Sequence, residues 1–330
     1  MKTSRWMRGV GILAIGAVAA AACTSTTDSA AGDGGEVIVV EDNFGEQQVP
    51  ASAKSIVATD NTSFQTLSDW GVELTAGAVT LMPDTSPYKT DADIIDLGSH
   101  REPNLEAVVA VDPDLIINGN RYDQYRDDFK SLAPDAAIVE VAPRDDEPLD
   151  DELKRETTVL GEVFGKQAEA QALNDAFDAS IARVQEAYDP DTTVMGVIVS
   201  GGQIRYVVPG KGRTIGPLFD IFGFRPALEV PEGSDDHQGD DISVEAIAAS
   251  NPDLILVMDR DAAVSGDEDG FTPAQKVIED SAALQNVTAI KDGAVVYMPA
   301  DTYTNESIQT YTAFFDLLAE RLEQLDAERE

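Results

Sequence analysis

The chain has 330 residues, of which 61 are acidic and 23 basic, and its formal net charge is −38. Nucleic acid is a poor partner for this chain, because so acidic a surface repels phosphate. The length exceeds what one small hydrophobic core usually organises, so more than one lobe is expected.

The first predicted element is an export signal. Residues 1–8 are cationic, residues 9–22 are apolar or small, and Cys23 follows. The apolar run is too short to span a bilayer as a stable helix. The letters AAAC resemble a bacterial lipobox, although Leu three residues before the cysteine would be more typical. We therefore predict a lipoprotein signal peptide at residues 1–22 and lipidation of Cys23, with a stray thiol as the alternative.

A polar tether follows the signal. Residues 23–35 are rich in Gly, Ser and Thr and lack an apolar pattern, so they are predicted to be flexible. Loss of residues 1–22 would remove three basic residues and no acid, which changes the formal charge from −38 to −41. The mature chain is expected to be soluble, tethered to the extracytoplasmic face of the cell membrane, at the cell surface or in the periplasm.

A repeated segment dominates the rest of the chain. Residues 104–121, NLEAVVAVDPDLIINGNR, align without a gap to residues 243–260, SVEAIAASNPDLILVMDR. Each copy predicts a short amphipathic helix that ends before Asp-Pro or Asn-Pro, followed by an apolar strand. A continuous apolar run indicates a strand buried on both faces, as in a parallel sheet.

The repeat predicts an α/β fold with two Rossmann-like lobes, at residues 36–150 and 191–330. The stretch between them, residues 151–190, carries a helical apolar stripe at Leu173, Phe177, Ile181, Val184 and Tyr188. A long helix joining the lobes would form a stiff hinge and leave a ligand cleft between them.

Arg121 and Arg260 end the two copies of the repeat. Ligands in open α/β sheets bind beyond the carboxyl ends of the strands, so both arginines are expected to reach the cleft. The alternative is that both are solvated loop charges.

Taken together with other segments, these motifs resemble a known family. The segments VIVVEDNFGEQQVPASAKSIVATD, LGSHREPNLEAVVAVDPDLIINGNR, ETTVLGEVFGKQAEA, VPGKGRTIGPLFDIFGF and NPDLILVMDR occur in the order typical of class III substrate-binding proteins of ABC importers. The closest likeness is to the iron-siderophore binders of the catecholate or petrobactin type. The resemblance implies two α/β lobes joined by one long backbone helix, with a ligand cleft between the lobes.

In this family, three arginines grip an anionic ferric complex. By motif position they correspond to Arg121 in NGNR, Arg213 in GKGR and Arg260 in MDR. A ferric tris-catecholate carries about three negative charges, and guanidinium groups bind planar oxygens while staying charged. Because the whole chain is so acidic, the cleft is expected to be locally positive.

Some relatives also bind iron directly through one histidine and one tyrosine. The resemblance places these at His237 in SDDHQGDDIS and, with an alignment uncertain by one residue, at Tyr303 in PADTYTNES. Phenolate and imidazole are competent Fe(III) ligands. The alternatives are a surface histidine whose pKa the neighbouring aspartates raise, and an ordinary loop aromatic.

The resemblance also implies a docking role for Glu106 and Glu245, which occupy equivalent places in the two copies. In relatives, one acidic residue on each lobe binds arginine pockets on the permease subunits. The alternative is a carboxylate that stabilises a helix N-terminus, and the two roles are compatible.

The expected function is therefore capture of a ferric siderophore and delivery to an ABC permease for iron uptake. The protein is expected to be a monomer with no permanently bound cofactor and no catalytic residues. Haem or cobalamin as the ligand remains an alternative on the same fold. An exported enzyme is a remote one, because the chain lacks GxSxG, HExxH and Walker motifs.

Overall fold

A computed structural model of the chain describes residues 36–99, 102–230 and 233–329. The predicted signal peptide, the tether and Cys23 lie outside the described residues. Two lobes are distinguished below by their sheets: the N-terminal lobe holds the elements up to Glu140 and the C-terminal lobe those from Thr193 onward. The domain limits at 36–150, 151–190 and 191–330 remain a prediction.

The N-terminal lobe opens with an antiparallel hairpin and continues as alternating strands and helices. The hairpin strands are β1 (Val37–Asp42) and β2 (Gly45–Pro50). The other elements are, in chain order, β3 (Ile56–Ala58), α1 (Phe64–Asp69), β4 (Ala76–Gly77), β5 (Ile95–Asp96), β6 (Gly98–Ser99), β7 (Glu102–Pro103), α2 (Leu105–Val111), β8 (Leu115–Asn118), α3 (Arg126–Leu132) and β9 (Ala137–Glu140). Short 3-10 helices span Val79–Leu81, Pro87–Thr90 and Asn120–Tyr125.

The sheet of this lobe has the strand order β5-β4-β3-β8-β9, and every neighbouring pair in it is parallel. Its central strands β3 and β8 are buried along their whole length. This agrees with the continuous apolar runs in the sequence, because a parallel sheet is covered by other elements on both faces.

Two helices follow, α4 (Leu149–Phe164) and α5 (Gln167–Ala187), separated at Gly165, whose φ of 64° is left-handed. Helix α4 joins the lobes: Leu153 packs in the C-terminal core, whereas Val159 and Leu160 pack in the N-terminal core. Of the predicted stripe, Phe177, Ile181 and Val184 are buried and Leu173 and Tyr188 are half-buried, and all five pack on the C-terminal core alone. The joining helix is therefore the one before the stripe, because only α4 presents apolar side chains to both cores.

The C-terminal lobe repeats the design with longer strands. Its elements are, in chain order, β10 (Thr193–Ser200), β11 (Gln203–Val207), α6 (Leu218–Phe222), β12 (Arg225–Pro226), α7 (Val244–Ser250), β13 (Leu254–Asp259), α8 (Arg260–Ser265), α9 (Ala274–Glu279), α10 (Thr288–Lys291), β14 (Val295–Tyr297) and α11 (Ile308–Arg329). A 3-10 helix spans Thr302–Thr304. The strand order is β11-β10-β13-β14, with β12 beside β10; β11 is antiparallel and the other strands are parallel.

The repeat predicted from sequence is confirmed, down to the ends of its helices. Asn104 caps α2 by accepting a hydrogen bond from a backbone N–H, and Ser243 caps α7 in the same way. Both helices end at a left-handed residue, Asp112 with φ 45° and Asn251 with φ 48°, and proline follows each. Asp and Asn tolerate this conformation better than most residues, so the sequence itself stops both helices there.

Helix α11 closes the C-terminal lobe by packing along α5, where Phe177 stacks on Phe315 with ring centroids 5.6 Å apart. Within the described ranges, no helix has both the length and the apolar character needed to cross a membrane.

Candidate ligand-binding cleft

A cleft of 860 Å³ lies between the two lobes, at the carboxyl end of β8. The N-terminal lobe contributes Arg121, and the segment between β9 and α4 contributes Arg144. The C-terminal lobe contributes Lys211, Arg213 and His237. This is the position at which open α/β folds bind ligands, and its size suits a small-molecule complex.

A second cavity, of 260 Å³, lies elsewhere between the lobes and has a different character. It is lined by α1, by α11 and by loops that include Asp69 and Asp301, and no described Lys, Arg or His lines it. Direct hydrogen bonds join the lobes here: the Asn305 amide donates to Gln65 at 2.8 Å and the Thr85 hydroxyl to Asp301 at 2.5 Å. An anionic ligand therefore suits the larger cleft.

Arg121 reaches the cleft from a strained turn after β8. Gly119 is required there, because a Cβ at this position would lie 2.7 Å from a carboxylate oxygen of Asp60. Asn120 takes the left-handed conformation, with φ 53°, and its amide donates to Asp60. The Arg121 side chain is exposed and, among the described residues, its guanidinium has no hydrogen bond or ion pair. It is therefore free to bind an anion.

Arg213 is held by a buried carboxylate. Its Nε and Nη2 donate to the two oxygens of Glu306 at 3.1 and 2.5 Å, and Nη2 also reaches the Tyr303 carbonyl at 3.2 Å. The Thr214 hydroxyl donates to the same carboxylate. Burial raises the pKa of Glu306, but Arg213 outweighs burial, so the pKa lies below its ordinary value. The carboxylate is ionised and offsets the Arg213 charge.

Tyr303 and Arg260 lie behind Arg213. The Tyr303 ring centroid is 4.4 Å from the guanidinium carbon of Arg213 and 4.9 Å from that of Arg260. Tyr303 is 6% exposed, and neither it nor Arg260 lines the cleft volume. Arg260 begins α8, one of its terminal nitrogens lies 3.8 Å from the Asp261 carboxylate, and its buried Nε has no hydrogen-bond partner among the described residues. The structure thus brings two predicted site arginines, Arg213 and Arg260, together on the ring of a third predicted site residue, Tyr303.

His237 lines the cleft from the loop before α7, with its side chain half exposed. Burial lowers its pKa, Asp236 raises it, and Arg213, Arg121 and Arg260 lower it further, with a net downward shift. The acidic-loop alternative expected the neighbouring aspartates to raise the pKa; the net direction is downward, because burial and the three arginines outweigh Asp236. Neutral imidazole, the metal-binding form, is favoured.

The expectation of a locally positive cleft needs correction. Lys211 and three arginines sit among carboxylates: the described lining residues include Asp123, Glu140, Asp145, Asp146 and Glu306. Arg144 is paired with Glu152 through two side-chain hydrogen bonds of 2.9 and 2.6 Å. Positive charge is therefore presented at particular points, chiefly Arg121, and does not cover the whole surface.

Sequence reasoning missed Arg144, Glu306 and Phe44 as cleft residues. Arg144 is the second residue of the run PRDDEPLDDE, which has no local pattern that indicates a site. Glu306 meets Arg213 across 93 positions of sequence. No local sequence pattern identifies either residue, because each is placed in the cleft by the folding of the chain.

Glu106 and Glu245 lie in the first turns of α2 and α7, and both side chains are exposed. They occupy equivalent positions on the two lobes, as the repeat predicts, and neither lines the cleft. In the part of the chain that the structure describes, no three His, Cys, Asp or Glu side chains are grouped closely enough to hold a metal ion.

Residues 56–302 match the protein family described as periplasmic binding protein. The chain belongs to this family. That result confirms the class predicted from sequence, since the family and the matched relatives are binding proteins and not enzymes.

Two curated relatives are each 27% identical to this binding protein. The petrobactin-binding protein of Bacillus subtilis aligns over 259 residues, 78% of each chain. The ferric-anguibactin-binding protein of Vibrio anguillarum aligns over 287 residues, 84% of this chain and 85% of the relative.

Solved structures share the fold. The B. subtilis petrobactin-binding protein superposes with a TM-score of 0.72 at 25% identity, covering 87% of this chain and 99% of its own. The periplasmic catecholate-siderophore binding protein of Vibrio cholerae has a TM-score of 0.73 at 21% identity, covering 88% of this chain and 100% of its own. The two-lobed α/β fold with a joining helix is thereby confirmed.

Proposed function

We propose that this binding protein captures a ferric siderophore, of catecholate type, in the cleft between its lobes and delivers it to an ABC permease for iron uptake. The observation that carries the proposal is geometric: Arg121, Arg213 and His237 line one cleft, and Arg260 packs on the Tyr303 ring that Arg213 also contacts. Binding proteins for petrobactin and for ferric anguibactin among its relatives support this choice of ligand.

Each arginine has a distinct part in the proposed site. Arg121 is unpaired and would form a direct charge-assisted hydrogen bond to an anionic oxygen. Arg213 is held rigidly by Glu306, so it would present a guanidinium edge in a fixed direction without supplying a full net charge. Arg260 would contribute through its field and through Tyr303, because it lies behind the cleft lining.

His237 and Tyr303 are proposed as direct Fe(III) ligands when a siderophore supplies only four donor atoms. The neutral ring of His237 lies in the cleft and could bind without rearrangement. Tyr303 is almost fully buried and does not line the cleft, so its phenol would reach iron only if the ring moved toward the cleft when the ligand binds.

Delivery would use the two exposed carboxylates and a lipid anchor. Glu106 and Glu245 stand in equivalent positions on the two lobes, so each would contact one of two permease subunits. Cys23 is proposed as the lipidated residue that holds a monomeric protein at the outer face of the membrane. Replacing both glutamates with Gln should abolish cellular iron uptake while leaving ligand affinity unchanged.

The first experiment is a fluorescence titration of the purified protein with ferric bis-catecholate, ferric tris-catecholate, a ferric hydroxamate, haem and cobalamin. Tight binding of the catecholates alone is the expected result. Preference for the bis form over the tris form would support iron ligation by His237. If only haem or cobalamin binds, the protein is still a receptor but its ligand is not a ferric siderophore. If none of the five binds, the proposed function is refuted.

Matched arginine variants test the site itself. Arg121→Ala should weaken catecholate binding about tenfold to hundredfold, the loss expected for one charge-assisted hydrogen bond. Arg225→Ala is the control: it removes the same charge from an exposed position on β12, which pairs with the amino end of β10 and so lies at the opposite end of the sheet from the cleft. Equal losses in both variants would indicate a general charge effect and refute the assignment of Arg121.

A further inference from the structure

The cleft contains one feature that arginine chemistry does not explain, an exposed phenylalanine. Phe44 lines the cleft and is 64% exposed, the only aromatic side chain in the described part of the chain with its surface so open. Large apolar side chains are usually buried in a monomeric protein, and an aromatic ring exposed inside a ligand cleft indicates a contact surface.

The turn that carries Phe44 is firmly anchored. Phe44 lies between β1 and β2, and its backbone N–H donates to the Asp42 carboxylate at 2.7 Å. The neighbouring Asn43 donates through its backbone to the Glu140 carbonyl at 2.9 Å and through its side chain to the Ala142 carbonyl at 3.0 Å. The ring is therefore held at the cleft by the end of β9, and its exposure does not come from a loosely attached loop.

A buried cation supports one face of the ring. The guanidinium carbon of Arg126 lies 4.1 Å from the centroid of Phe44. Arg126 is almost fully buried; its Nε is 2.5 Å from the Glu140 carboxylate and its Nη2 is 4.0 Å from that of Asp42. Cation–π contacts strengthen when the cation is removed from water, so this pairing fixes the ring plane. Because Phe44 is 64% exposed and lines the cleft, we infer that the face away from Arg126 is the one presented to a ligand.

The open face of Phe44 and the unpaired guanidinium of Arg121 line the same cleft. An aromatic ring stacks on another flat ring, and a guanidinium binds anionic oxygen. A ligand that satisfies both must carry aryl groups and negative oxygens together. Aliphatic chelates, such as citrate or alkyl hydroxamates, satisfy only the second condition.

We propose that Phe44 is a specificity residue that stacks on an aryl ring of the bound ferric complex and so selects catecholate or phenolate chelates over aliphatic ones. The proposal rests on the proposed function, because it assigns the class of siderophore at that same cleft. It assigns discrimination to Phe44 and anion binding to the arginines, so the two contributions can be measured separately.

The test is a titration of wild-type, Phe44→Ala and Phe44→Trp proteins with ferric dihydroxybenzoate complexes and with two aliphatic complexes, ferric citrate and a ferric alkyl hydroxamate. Phe44→Ala should weaken aryl-complex binding about tenfold and change aliphatic-complex binding less than twofold, and Phe44→Trp should restore aryl binding. Val39→Ala is the matched control, since Val39 is exposed on the same hairpin but does not line the cleft.

Equal effects of Phe44→Ala on aryl and aliphatic complexes would overturn the proposal, as would no effect on either. Wild-type protein that binds only the aliphatic complexes would also overturn it, while leaving the ferric-receptor function in place. Wild-type protein that binds no ferric complex would overturn both. If Phe44→Ala alters the melting temperature, Phe44→Leu replaces it in the comparison. A folded Phe44→Leu variant that binds aryl complexes as tightly as wild type would count against stacking.

Discussion

A buried carboxyl pair beneath the cleft predicts a specific pH dependence of stability. Asp60 follows β3 and Glu156 lies in the joining helix α4, and both are at most 3% exposed. The Thr62 hydroxyl lies 2.8 Å from an oxygen of each. One hydroxyl proton cannot be donated to two carboxylates at once, so this arrangement favours a proton on one carboxyl, which can then donate to the hydroxyl.

Burial raises the pKa of Asp60, and burial together with Asp60 raises the pKa of Glu156 well above its ordinary value of 4.5. The native state therefore keeps protons that the unfolded chain releases above that value, and the free energy of unfolding falls as pH rises. Each retained proton contributes a slope of about 1.4 kcal/mol per pH unit. For Glu156 the loss between pH 5 and pH 7 is up to about 3 kcal/mol.

Glu156→Gln should remove this share of the pH dependence. The amide keeps the shape and an acceptor for Thr62, can donate to it, and cannot ionise. The variant should have wild-type stability near pH 5 and exceed it by up to about 3 kcal/mol near pH 7. Urea unfolding at a series of pH values, followed by fluorescence of Trp70, measures the difference.

Glu162→Gln is the matched control, because Glu162 is an exposed carboxylate on the same helix. It changes the formal charge equally and should leave the pH slope of wild type almost unaltered. Parallel stability curves for Glu156→Gln and wild type between pH 5 and pH 7 would refute the reasoning.

Three further predictions concern stability in chemical denaturation. Ser243→Ala should cost about 1 kcal/mol, since it removes the hydroxyl that accepts from Ala246 at the start of α7. Glu306→Gln should cost about 3 kcal/mol, because it leaves the charge of Arg213 largely buried without a counter-ion. Phe177→Ala should cost about 3 to 5 kcal/mol, since the side chain is fully buried between α5 and α11.

Exposed positions on α11 provide the controls for the Glu306 and Phe177 variants. Glu320→Gln removes one charge from the surface of α11, and Leu317→Ala truncates a side chain that is 46% exposed. Both should change the free energy of unfolding by less than about 0.5 kcal/mol. Losses equal to those of Glu306→Gln or Phe177→Ala would contradict the roles assigned to the buried pair and the aromatic stack.

The repeated unit of helix and strand can be predicted from the amino-acid sequence alone. Its signals are all local: a capping residue such as Asn104, a left-handed Asp112 or Asn251 before proline, and a continuous apolar run. Arg121 and Arg260 could be placed at the strand ends by the same reasoning, because the carboxyl edge of a parallel strand follows directly from chain direction.

The identity of the joining helix and the distribution of charge in the cleft depend on long-range packing. The apolar stripe on α5 and the apolar face of α4 have the same helical period, and the period does not say which core each will meet. The Arg213–Glu306 pair and the Phe44–Arg126 stack join residues more than 80 positions apart. Each contact forms within one lobe, between segments that only the folded chain brings together, and no local sequence pattern encodes that packing.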